Sequence, residues 1–130
     1  YSPSAGATHS VVFNDWGYLS VSVEVPPEQL DAVAATIRQI AADLRDKPVT
    51  EDELERAKKP RIDQIEKSRV TNEYWLSNLS GAQRDPRILD ATRSVIAGLE
   101  RVKAADVQKA ARTFLGDDKS WTVLVKPEGR

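Results

Sequence analysis

The side chains able to do chemistry are few, and their spacing assembles little. The 130 residues include one histidine, His9, and no cysteine. A zinc site needs three or four strong ligands, mostly His or Cys, so a lone imidazole cannot build one. Disulfides, thiolate ligands and a cysteine nucleophile are excluded outright. No serine stands in a nucleophile elbow, so His9 has no triad to serve. It reads as a strand residue making a local hydrogen bond. Asp117 and Asp118 are adjacent, but Ca²⁺ takes six or more oxygens from a shaped loop, and the pair reads as a solvated turn. Arg56, Lys58, Lys59 and Arg61 form a basic cluster interleaved with Glu55, Asp63 and Glu66. Mixed signs at helical spacing describe a solvated face with i,i+4 pairs rather than an anion site. No glycine-rich phosphate loop is present. By residue type and spacing alone, this segment holds no catalytic centre and no metal site.

Composition narrows the classes further. Lys plus Arg is 19 against 20 for Asp plus Glu, so no basic excess exists to release counterions from nucleic acid or anionic lipid. Hydrophobic residues at 40% and charged residues at 30% suit an ordinary globular fold, the size of one domain or the larger part of one. No apolar run approaches the roughly 18 residues of a membrane span. The absence of methionine, with an opening on Tyr1-Ser2-Pro3-Ser4-Ala5-Gly6, leads us to expect an N-terminally truncated piece of a longer domain over residues 1–130.

The elements follow from periodicity. Residues 8–14 are rich in β-branched and aromatic types and predict a strand, and Asp15-Trp16-Gly17 predicts a turn. Residues 18–25 alternate, with Leu19, Val21, Val23 and Val25 on one face and Tyr18, Ser20, Ser22 and Glu24 on the other. That pattern predicts a half-buried antiparallel strand, hence a hairpin. Pro26-Pro27 ends it and opens a helix along Leu30, Val33, Ile37, Ile40 and Leu44, which Lys47-Pro48 stops. Thr50-Glu51-Asp52-Glu53 is a capping box, and its helix continues through Leu54, Ala57, Ile62 and Ile65 with a kink expected at Pro60. Tyr74, Trp75, Leu76 and Leu79 mark another amphipathic stretch. Ile88, Leu89, Thr92, Val95, Ile96 and Leu99 form a clear stripe, and Val107, Ala110, Ala111, Phe114 and Leu115 form the last, closed by Gly116 at C′. Residues 120–126 alternate Trp121, Val123 and Val125 against Thr122 and Leu124, and predict a third strand ended by Pro127. The order β-β-α-α-α-α-α-β predicts an α+β domain with helices packed on one face of an antiparallel sheet. Three strands make a thin sheet, so further partner strands are expected elsewhere.

Two stretches together resemble one family. The first is Tyr1-Ser2-Pro3-Ser4-Ala5 followed by the Asp15-Trp16-Gly17 turn and its two strands. The second is Thr50-Glu51-Asp52-Glu53-Leu54-Glu55-Arg56-Ala57-Lys58 with Asn72-Glu73-Tyr74-Trp75-Leu76 after it. In this order they are similar to the C-terminal domain of pitrilysin/insulinase-type zinc metallopeptidases. The likeness extends through Lys103-Ala104-Ala105-Asp106-Val107 to the closing segment.

The resemblance implies a partial domain of a clamshell. In that family one α+β domain carries an inverted His-x-x-Glu-His zinc motif, and the related C-terminal domain closes over the peptide from the other side. A Tyr in that second domain, seven residues after an Arg, reaches the substrate near the scissile bond. Tyr1 matches the Tyr by its context, while the Arg would fall before residue 1. The implied assignment is a substrate-clamping, non-metal-binding domain with Tyr1 as a substrate-binding residue, no catalytic residue and no cofactor of its own. Zinc and hydrolysis would belong to a separate domain, in the same chain or a partner, and a bacterial periplasmic setting follows family habit. The segment alone is expected to be inactive. A catalytically dead scaffold of the same fold is the alternative. An unrelated interaction module anchored by Trp16, Tyr18 and Trp75 is the third reading. A thin sheet with an open edge also predicts homodimerisation of the piece.

Overall fold

In a computed structural model, which describes residues 2–10, 13, 16–83 and 85–126, the chain opens with an antiparallel hairpin. Strand β1 (Ser4–His9) pairs with β2 (Gly17–Ser22), with Ser4 opposite Ser22, Ala7 opposite Leu19 and His9 opposite Gly17. A 3₁₀ turn at Pro27–Gln29 leads into α1 (Leu30–Asp46). Helices α2 (Glu51–Ser68), α3 (Asn72–Leu79), α4 (Arg87–Arg101) and α5 (Ala104–Phe114) follow, and a second 3₁₀ turn spans Asp117–Lys119. The class is α+β, and the described residues form two strands and five helices in the predicted order. The chain divides into two units, Tyr1–Gln39 with Trp121–Arg130, and Ile40–Ser120. Helix α1 starts in the first and ends in the second.

The first unit departs from the periodicity in three ways. Strand β1 lies earlier than residues 8–14, because the chain turns after His9. The Ser10 hydroxyl accepts the Phe13 amide at 2.9 Å and the Ser10 amide reaches the Trp16 carbonyl at 2.8 Å, closing the loop. Val11, Val12, Asn14 and Asp15, part of the predicted strand and turn, lie outside the described residues. Strand β2 ends at Ser22, and all six of its residues are exposed rather than half-buried. A two-stranded ribbon is too thin to bury either face by itself. Residues 120–126 keep their alternation but form no strand, since a strand is defined by a partner's ladder and none is supplied. Pro127 lies outside the described residues.

The second unit follows the stripes closely. Leu54, Ile65 and Ala111 are buried with Thr92, and α2 and α3 both pack against α4. Helix α2 runs unbroken through Pro60. At the α3–α4 connection a Cβ on Gly81 would stand 2.8 Å from Ile88 Cδ1, so glycine permits that approach. Gly116 follows the α5 cap residue Leu115 as expected, but with φ −68° and ψ 144° it is extended, not left-handed. It opens the 3₁₀ turn, where a Cβ would meet Asp118 Oδ1 at 2.5 Å.

Candidate functional site

Tyr1, the residue that the resemblance assigns to substrate, lies outside the described residues. The described chain after it enters β1 at Ser4. The next loop carries the other candidate contacts. The Trp16 and Tyr18 rings meet edge to face, with centroids 5.5 Å apart at 62°, and both are more than half exposed, as is Phe13. Edge-to-face pairs of this kind are favourable and present an aromatic surface to a partner. Leu19 and Val21 on β2 are also exposed.

Trp75 does not join this group; it belongs to the second unit. Its indole N–H donates to the Arg69 carbonyl at 2.8 Å, and its ring meets Tyr74 edge to face at 5.3 Å. It closes the turn between α2 and α3 with its polar atom satisfied, while its ring remains partly exposed.

The charged run Thr50 to Lys58 has a structural use that its local pattern only half discloses. The Thr50 hydroxyl accepts the Glu53 amide at 3.2 Å, and the Glu53 carboxylate accepts the Thr50 amide at 2.8 Å. The Thr50 backbone and hydroxyl hold the Glu53 carboxyl below its usual range, with Arg56 adding a smaller pull. Arg56 pairs with Asp52 at 2.7 Å, one turn away. Leu54 faces the core. Lys58 leaves its own helix: its ammonium donates to the Glu100 and Val102 carbonyls at 3.1 and 3.2 Å, and lies 3.4 Å from Glu55. These acceptors sit at the C-terminal end of α4, where carbonyls lack helical partners and the dipole favours a cation.

Two arginines absent from the sequence reading hold the remaining helix ends. Arg45, at the end of α1, donates from Nη1 to the Leu115 carbonyl and pairs with the Asp117 carboxylate at 3.3 Å. Its own carbonyl accepts from Gln108 at 3.1 Å and Arg112 at 2.9 Å. Asp117 is thus engaged by a cation. Arg69 donates to the Thr92 carbonyl at 2.7 Å, with its Nε enclosed and unpartnered. A helix-terminal arginine was the available signal, but partners 23 and 70 residues away leave no trace in a local pattern. At the start of α4, Arg87 forks onto Asp85 and holds that carboxyl below its usual range.

Chemically, the described residues present hydrogen-bonded helix ends and an exposed aromatic hairpin. No group of three or more His, Cys, Asp or Glu among them is arranged to hold a metal ion. No described helix is long and apolar enough to cross a membrane.

Residues 1–60 match the family model of the Peptidase M16 inactive domain. The matched stretch covers the hairpin, α1 and the first half of α2, and bears out the recognition of a pitrilysin/insulinase-type C-terminal domain. A domain of that description is the non-catalytic C-terminal partner in M16 peptidases. No curated protein and no solved structure matches the chain.

Proposed function

We propose that this chain serves as the substrate-clamping, non-metal-binding half of a bacterial, periplasmic zinc metallopeptidase, with hydrolysis performed by a separate zinc-binding domain. The observation that carries the reading is the match to an inactive peptidase domain over a stretch that begins at Tyr1. The sequence has one His and no His-x-x-Glu-His, so the metal chemistry must come from elsewhere. A zinc-binding domain polarises the peptide carbonyl and activates water. Its partner then contributes hydrogen-bond donors and closure, which hold the peptide in a reactive pose. The Tyr1 hydroxyl is the donor proposed for the developing oxyanion.

Zinc-dependent cleavage of a fluorogenic peptide by the zinc-binding domain, with and without this chain, tests the proposal. The chain should raise the rate, and Tyr1→Phe should lower kcat by about 10²-fold, the effect of removing one oxyanion donor. A rate unchanged by adding the chain would sink the clamping role and leave a scaffold of the same fold.

A further inference from the structure

The first unit contains both an open sheet edge and an unused strand sequence. Among the described residues β1 and β2 pair only with each other, so each has a free outer edge. Residues 121–126 carry no secondary structure, yet Trp121, Val123 and Val125 recur at strand period. Trp121, Val123 and Val125 are 90%, 56% and 81% exposed. Apolar β-branched side chains left this open are the usual mark of a surface that another strand covers.

The two patterns fit each other. The paired register puts Ala5, Ala7, Leu19 and Val21 on one face of the hairpin and Ser4, Gly6, Thr8 and Ser20 on the other. A strand with Trp121, Val123 and Val125 on one face extends the apolar face of the hairpin, while Thr122, Leu124 and Lys126 extend the other, which carries Tyr18 beside its small polar residues. The β1 edge also has the right relief. Ala5 and Ala7 are small and Gly6 has nothing within 4 Å of a built Cβ, which leaves room beside them for Trp121 and the two valines. Charge does not decide the partner: Lys126, the one charge on the segment, lies 3.9 Å from Asp31 of its own chain, and the exchange would replace that contact with its equivalent.

We propose that residues 121–126 of one copy add as a third strand to the β1 edge of a second copy, and reciprocally, forming a closed twofold dimer. Reciprocal exchange gives each chain a three-stranded sheet and leaves no open-ended addition. The area is sufficient. Phe13, Trp16, Tyr18 and Trp121, each at least half exposed, together with five exposed aliphatic side chains of the same unit, offer on the order of 800 Å² per chain, what a standard interface buries. The proposal stands independently of the peptidase role.

Sedimentation equilibrium of the full chain tests it. The mass should rise from one 14.4 kDa chain to two with increasing concentration. Amides of residues 122–126 should gain hydrogen-exchange protection over the same range. Val123→Pro, which removes an N–H from an exposed segment and leaves the helices intact, should weaken association at least about tenfold with unchanged helical circular dichroism. Trp121→Ala should weaken it less. A strictly monomeric chain, or equal association by Val123→Pro, would overturn the proposal. So would protection of residues 122–126 in the dilute monomer, because the segment would then pair within its own chain.

Discussion

In the helical unit Ile40–Ser120, helix ends are repeatedly closed by a side chain from another element. Lys58 of α2 closes α4, Arg45 of α1 closes α5, and Arg69 holds the α2–α3 turn to the middle of α4. The unit Tyr1–Gln39 with Trp121–Arg130 contrasts with it: every residue of β1 and β2 has a partner in the ladder, yet the outer edges stay open and the large apolar side chains of the hairpin stay exposed. A local ladder forms, but burial does not follow from it, because a helix hides its stripe against one neighbour while a two-stranded ribbon needs a covering layer. Completeness of the ladder is therefore a poor guide to completeness of the fold.

Core substitution should strain this contrast most. Leu54→Ala, at a site 5% exposed, should cost about 3 kcal/mol in urea unfolding through lost contacts and a cavity. Val21→Thr on the exposed hairpin, measured on dilute protein, should stay within about 0.5 kcal/mol. Equal losses would erase the distinction between the units. Next comes the Arg45 clasp. Arg45→Met keeps the packed stem and removes the charge-assisted bonds, with an expected loss of about 1.5 kcal/mol. Asp117→Asn should cost under about 0.5 kcal/mol, because Asp117 is 80% exposed and its pairing is screened. If the two lose equally, the ion pair and not the carbonyl bond holds the clasp.

The cap of α2 comes after the core and the clasp. Thr50→Ala should cost about 1 kcal/mol at neutral pH. Glu53 has a folded pKa below its ordinary 4.5, so its share of the stability is full above that value and is lost as pH falls through the lowered one. The difference between wild type and Thr50→Ala should accordingly shrink in acid. A difference that stays constant down to pH about 3 would assign the effect to the hydroxyl alone.

What could be read from the sequence was local. The Thr50/Glu53 box, the stripes of α4 and α5 and the stop at Lys47-Pro48 all depend on neighbours within four residues, and all appear where the pattern puts them. Strand β1 was misplaced because Ser4, Ala5 and Gly6 have poor β propensity and are strand only through their pairing with Ser22, Val21 and Ser20. Trp121 to Val125 failed in the opposite sense, strand-like in pattern but unpaired among the described residues. Of the candidate contacts, Trp16 and Tyr18 meet as a pair, whereas Trp75 serves a turn. The assignment of Tyr1 came from family likeness, since nothing in its chemistry sets it apart from the other tyrosines.

The Arg45 clasp also fixes an order of events. Its acceptors Leu115 and Asp117 lie 70 and 72 residues downstream. A ribosome adding about 5–20 residues per second exposes Arg45 roughly 4–14 s before either acceptor has been made. The Arg45 carbonyl at the end of α1 waits nearly as long for its donors Gln108 and Arg112, while α2 can already form its own cap from Thr50 and Glu53. Nascent chains paused before Gln108 should therefore carry a formed α2 start beside a frayed α1 end, a window in which a chaperone could meet the chain.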